Sequence, residues 1–169
     1  MDTWKWMETL RENPEKAADC PCWSEFSSTE WMMILELHPQ FVDKCDKWHE
    51  FCGYDWSTLL RSQPQFAGRC NWDELDGSDW WWLLNRQPQF SDRCAWKKIG
   101  GYDWALILDF MPEAIEHCCW ENFTGKDWSE LLKYHPDLAE KCKWWYKLNP
   151  DDWEELAERQ PQLAEKFRK

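Results

Sequence analysis

The 169-residue chain reads as an all-α solenoid of about seven two-helix repeats, each 24 or 25 residues long. Three observations predict this. Prolines recur in register at Pro14, Pro39, Pro64, Pro88, Pro112, Pro136 and Pro161, at steps of 24 or 25. Eight residues before each stands a tryptophan: Trp6, Trp31, Trp56, Trp80, Trp104, Trp128 and Trp153. Six residues after each stands a cysteine, Cys20, Cys45, Cys70, Cys94, Cys118 and Cys142, with Phe167 in the seventh copy. Fixed self-similarity at this period is the signature of a stacked-repeat architecture. The reading takes residues 1–169 as one repeat domain.

The first helix of each copy begins at a cap. In the fourth copy Asp76 is followed three residues later by Asp79, the spacing of a capping box. Ser27 and Glu30, Thr124 and Asp127, and Asn149 and Asp152 repeat the frame. Pro150 falls at a first helical position, where a missing N–H costs nothing. Gly53, Gly77, Gly101 and Gly125 mark the starts of successive first helices. Trp80, Leu83 and Leu84 share one face at helical spacing and form the inward side. The helix stops at Gln87, because a residue before proline avoids helical angles. Pro88 then opens a second helix with Phe90, Ser91 and Cys94 facing inward, and Trp96 and Ile99 close the unit in a short turn. His38, Gln63, Gln87 and His135, each before a proline, are expected to act as caps.

No such helix buries its face alone, since about 10 residues are marginal in water. Stacking joins the apolar faces into one core, and end copies are expected to differ. They do: Thr9 and Lys16 stand at mostly apolar positions in the first copy, and Ala157 and Phe167 replace the usual Leu and Cys in the last.

Gln63-Pro64-Gln65-Phe66, Gln87-Pro88-Gln89-Phe90 and Gly77-Ser78-Asp79-Trp80 resemble the short Trp/Pro/Cys-phased helical repeats, of "QPQFADKCDW…LDGxDW" type, that occur as tandem arrays in bacterial proteins. The likeness runs over nearly the whole chain. It implies a repeat scaffold and brings no catalytic residues with it.

Composition excludes several classes. Aromatics make up 17% of the chain, too many for a disordered one. No apolar run is long enough to span a bilayer, and the start, Met1-Asp2-Thr3-Trp4-Lys5, has no basic region followed by an apolar stretch, so a cytoplasmic protein is expected. A net charge of −12 argues against nucleic-acid binding and suits a basic protein partner.

Six of the nine cysteines occupy one equivalent position per copy. Helices stack roughly 8–10 Å apart, beyond the Cα separation of about 7 Å that a disulfide allows. Reduced core thiols are therefore expected, as in a reducing compartment. Cys20, Cys22, His49 and Cys52 are ligand types for zinc, but the Cys20–Cys22 spacing is too short for the usual knuckle, so no metal is expected. No cofactor, phosphate loop or activated nucleophile is recognisable, and the chain is not expected to be an enzyme.

Comparison among the seven copies reveals the variable positions. Offsets +2 and +6 from the framework Trp lie opposite the inward face. Met33, Leu37, Trp82, Arg86, Leu106, Phe110 and Tyr134 occupy them in the middle copies, and offset +1 adds Met32 and Trp81. Solvent-facing apolar residues mark interaction sites. Met33, Leu37, Trp81, Trp82, Arg86, Leu106, Phe110 and Tyr134 are thus the candidate partner-binding stripe, unless part of it packs against the next copy's turn. Lys44, Arg69, Arg93, His117, Lys141 and Lys166, five residues after six of the seven repeat prolines, complement the ends of the second helices or form a basic track. The leading expectation is a non-enzymatic protein-binding scaffold, monomeric or weakly self-associating. The alternative is an acidic mimic of nucleic acid that inhibits a basic enzyme, such as one of a defence system.

Overall fold

The first helices begin and end where their side chains dictate. In the computed structural model, which describes residues 2–168, these helices are α1 (Thr3–Glu12), α2 (Ser28–Leu37), α3 (Gly53–Ser62), α4 (Gly77–Leu84), α5 (Gly101–Phe110), α6 (Gly125–Tyr134) and α7 (Pro150–Arg159). Ser27, Asp76, Thr124 and Asn149 each accept the N–H three residues on, and the acid there accepts the N–H of the cap in return. At α3, Asp55 accepts both the backbone N–H and the thiol of Cys52. Each residue before one of the seven repeat prolines leaves the helical region, with φ between −119° and −137° and ψ between 63° and 72°. No strand occurs among the described residues, and the protein is an all-α solenoid.

The second element differs from the expected α-helix. In six copies it is a six-residue 3₁₀ helix, for example Pro64–Arg69 and Pro88–Arg93. The N–H of each ladder cysteine bonds three residues back, as Cys70 does to Ala67, and the cysteine itself is already extended. Six residues between a proline and an extended residue leave little room for i→i+4 bonds, and the tighter turn wins. The seventh copy runs one residue further, and there the element is α8 (Pro161–Phe167).

The second tryptophan ladder does not close the preceding copy. Each of its members opens a three-residue 3₁₀ turn and stacks on the framework Trp eight residues downstream. The six pairs are Trp23–Trp31, Trp48–Trp56, Trp72–Trp80, Trp96–Trp104, Trp120–Trp128 and Trp145–Trp153. Their ring centroids are 5.2–5.6 Å apart and their planes lie within 12–21°. Such offset stacking adds to area burial by about 0.5–1.5 kcal/mol per pair.

Contacts divide the chain into two compact units, Met1–Cys94 and Ala95–Lys169. In the first, α1, α2, α3 and α4 pack each on the next, and Trp31, Trp56 and Trp80 are fully buried with their Leu and Ile partners. Thr29 Oγ1 donates to Asp55 (3.1 Å) and Ser57 Oγ to Asp79 (3.1 Å), linking neighbouring helices. A Cβ on Gly53 would meet the Asp79 carboxylate and the Glu74 carbonyl, so only glycine lets α4 come this close. The residues before the repeat prolines cap their own helices through backbone N–H groups, as His38, Gln63 and Gln87 do, and their side chains cap the preceding copy as well. Gln63 Nε2 donates to the Glu36 carbonyl (2.6 Å), Gln87 Nε2 to that of Arg61 (2.7 Å), and His38 Nε2 to that of Arg11 (3.0 Å). These carbonyls lie in the last turn, where no intrahelical donor reaches them.

In the second unit α5, α6, α7 and α8 pack in the same succession around Trp104, Trp128 and Trp153. Gly101 N donates to Asp127 (2.9 Å), Ser129 Oγ to the Asp152 carbonyl (2.9 Å), and Gln160 Nε2 to the Lys133 carbonyl (3.0 Å). His135 reaches the Ala105 carbonyl instead (2.8 Å), one residue past the framework Trp.

All nine cysteines are free thiols. Cys20, Cys45 and Cys142 are buried, whereas Cys70, Cys94 and Cys118 are half-buried. Burial pushes the thiols of Cys45 and Cys142 up to about 11 and that of Cys70 up to about 12.

Candidate functional site

The outward face of the first helices is where the copies stop resembling one another. On the first unit, Leu37 is 51% exposed at the end of α2, and Met33 one turn earlier is half-buried. Trp82 on α4 is 39% exposed, and its neighbour Trp81 is half-buried. Their rings lie 5.7 Å apart at 42°. Arg86 is exposed in the turn that follows α4, which ends at Leu84. On the second unit, Leu106 and Phe110 are half-buried on α5, and Tyr134 at the end of α6 is 42% exposed.

Offset +1 faces the next copy rather than solvent. Met32 is only 2% exposed, and Ser57, Ala105 and Ser129, its equivalents, are buried as well. At about 100° from the framework Trp this offset borders the inward face, and Ser57 and Ser129 use it to hydrogen-bond the following helix. Trp81 occupies the same offset with a larger ring and stays partly outside.

Arg61 belongs to this surface, although it lies outside the predicted offsets. Its guanidinium sits over the Trp82 ring, 3.5 Å from the centroid. Its Nε, together with Thr58 Oγ1 one turn earlier, is buried with no hydrogen-bond partner. Burial, followed by the charge of Arg86, lowers the pKa of the Arg61 guanidinium, and Glu36 opposes the shift. On the second unit Arg159 covers the Tyr134 ring (5.1 Å), and Tyr102 meets that ring edge-on (6.0 Å). Lys133 pairs with Glu155 at 2.5 Å. A single rule connects Arg61–Trp82 with Lys133–Glu155: offset +5 of one copy meets offset +2 of the next. The sequence held that signal, but it emerges only once neighbouring copies are aligned side by side.

The cations five residues after proline are exposed, as expected, yet several have a more specific task. Arg69 lies over Trp48 (5.1 Å), and His117 stacks on Trp96 (4.8 Å, 4°). They roof the outer indole of two of the six pairs, while Lys166 pairs with Glu140 at 2.7 Å.

The cavities are small and open. One of about 200 Å³ lies beside Leu37, lined also by Glu8, Arg11 and Glu12. Another of about 340 Å³ is lined by Ala67, Gly68, Cys70, Trp72, Phe90 and Arg93. Cys20 and Cys22 bring their sulfurs within 3.8 Å, and His49 and Cys52 do not join them. No cluster of three or more His, Cys, Asp or Glu suited to a metal occurs among the described residues. No described helix is long and apolar enough to cross a membrane. No protein-family model, curated protein or solved structure matches the chain.

Proposed function

We propose that the chain is a non-enzymatic protein-binding repeat scaffold whose contact surface is the outward face of the first helices. The observation that carries this is the pair Trp80 and Trp82. Two residues apart on α4, the first is wholly buried and the second keeps 39% of its surface in solvent. A tryptophan exposed on a rigid helix, with Leu37 and Arg86 exposed on the same side, is the composition of an interface anchor. Tyr134 plays the corresponding part on the second unit. Free thiols in six of the seven copies suit a reducing, cytoplasmic setting, and the repeat motif suits a bacterial source.

Nucleic-acid mimicry is the weaker reading. Mimicry would use carboxylates arrayed in solvent; Glu30, Asp55, Asp79, Asp127 and Asp152 are instead engaged at their own helix starts, while most of the other acids are exposed, so salt dependence decides between the readings.

Affinity capture from the native host separates these readings. A partner held by the unaltered chain should be lost on Trp82→Ala or Tyr134→Ala, yet retained on Tyr146→Ala, which alters an 80% exposed ring off the stripe. A partner kept equally by all variants and released by modest salt would favour mimicry and sink the stripe.

A further inference from the structure

We infer that the α3–α4 edge of the first unit takes an acidic peptide segment, a carboxylate gripped by Arg61 and Arg86 and a neighbouring apolar side chain laid on Trp82. This rests on reading the first-helix face as the partner-binding surface, and it assigns that partner's local chemistry.

The argument begins from equivalent positions in the two units. On the second unit, the cation at offset +5, Lys133, is closed by an acid at offset +2 of the next copy, Glu155, 2.5 Å away. On the first unit the same two seats hold Arg61 and Trp82. The acid is replaced by an indole, so the guanidinium is stacked but not neutralised. Among the described residues, no carboxylate forms an ion pair with Arg61 or with Arg86. Glu36 is the carboxylate whose charge reaches Arg61, without forming an ion pair with it.

The arrangement is also ready-made. Stacking on Trp82 fixes the plane of the Arg61 guanidinium, and the Arg61 backbone carbonyl is held by Gln87. A stacked guanidinium keeps its in-plane N–H groups free for the two oxygens of a carboxylate. Arg86, close enough to disfavour the Arg61 charge, adds a second donor set from an exposed turn. The two like charges repel until an anion joins them. Trp82 keeps 39% of its surface for the apolar part of the ligand. The net charge of −12 points to a basic partner at long range, but solvent ions screen that field within about 8–10 Å, so local groups decide this contact.

Three fluorescent peptides test the inference: a Phe-Leu core flanked by Glu, by Gln or by Lys. The Glu peptide should bind roughly tenfold more tightly than the Gln peptide, and more weakly as salt is raised. Arg86→Glu changes an exposed residue and should leave the melt intact. It should weaken the Glu peptide by about tenfold or more and strengthen the Lys peptide. Arg61→Gln should reproduce the loss. Equal binding of the Glu and Gln peptides, no response to Arg86→Glu, or no binding of the Glu peptide overturns the inference. If Glu and Gln peptides bind equally and Trp82→Ala abolishes both, the charge assignment alone fails and the stripe survives. If the Glu peptide depends on Arg86 but not on Trp82, the stripe reading fails. An oligothymidylate that displaces the Glu peptide with higher affinity would transfer the site to a nucleic acid.

Discussion

Trp80 and Trp82 share a helix, a chemistry and nearly a position, yet they serve opposite ends. Trp80 stacks on Trp72 at 5.5 Å and 12° and has no contact with water. Trp82 carries Arg61 on its face and keeps 39% of its surface in solvent. The inward residue recurs in all seven copies, whereas offset +2 runs Glu8, Met33, Thr58, Trp82, Leu106, Glu130 and Glu155. In a stacked repeat the face that touches the next copy must be uniform, because every copy must fit the same neighbour. The opposite face meets its neighbour only through side-chain tips, as Arg61 does with Trp82 and Lys133 with Glu155, so its residues are free to vary. A residue's type therefore says less about its task than its angle around the helix.

That division can be broken by experiment. The largest effect should come from Trp80→Ala, which empties a buried site and unstacks Trp72, costing about 3–5 kcal/mol. Denaturant melts check it, and an unchanged midpoint would mean that the inward indoles are not the spine. Gly53→Val comes next. Its side chain would run into the Asp79 carboxylate and the Glu74 carbonyl, and overpacking of this kind costs about 1–3 kcal/mol. A normal melt would show that neighbouring copies do not approach so closely. Gln87→Ala removes the donor to the Arg61 carbonyl and should cost about 1 kcal/mol. It should also loosen Arg61 and thereby weaken an acidic ligand slightly, a response that a purely local cap would not give. The smallest change in stability belongs to Trp82→Ala, within about 1 kcal/mol including the lost cation–π contact, together with a clear loss of partner binding. A large drop in its melting temperature would place Trp82 in the core and dissolve the comparison.

Much of the frame was legible in the sequence because repetition supplied its own alignment. Capping boxes, glycine starts and proline stops are local signals, and the helices obey them. The 3₁₀ form of the second element was not legible, since apolar spacing over six residues does not separate it from an α-helix. The eight-residue gap between paired indoles is constant throughout, yet helical periodicity offers no reason to join residues across a turn. The reach of Gln63 and Gln87 to the previous copy spans 26 or 27 residues, beyond any local rule. The surface was half legible. The outward angle pointed to Leu37, Trp82 and Tyr134, while Met32 was hidden by a neighbour and Arg61 was revealed by one.

The indole pairing has an optical consequence. Six couples of chromophores are held 5.2–5.6 Å apart at a small fixed tilt. Their electronic transitions mix, and the rings themselves should give an exciton couplet in circular dichroism. The intensity would fall by one increment for each couple lost, so that a spectrum followed during melting counts assembled copies.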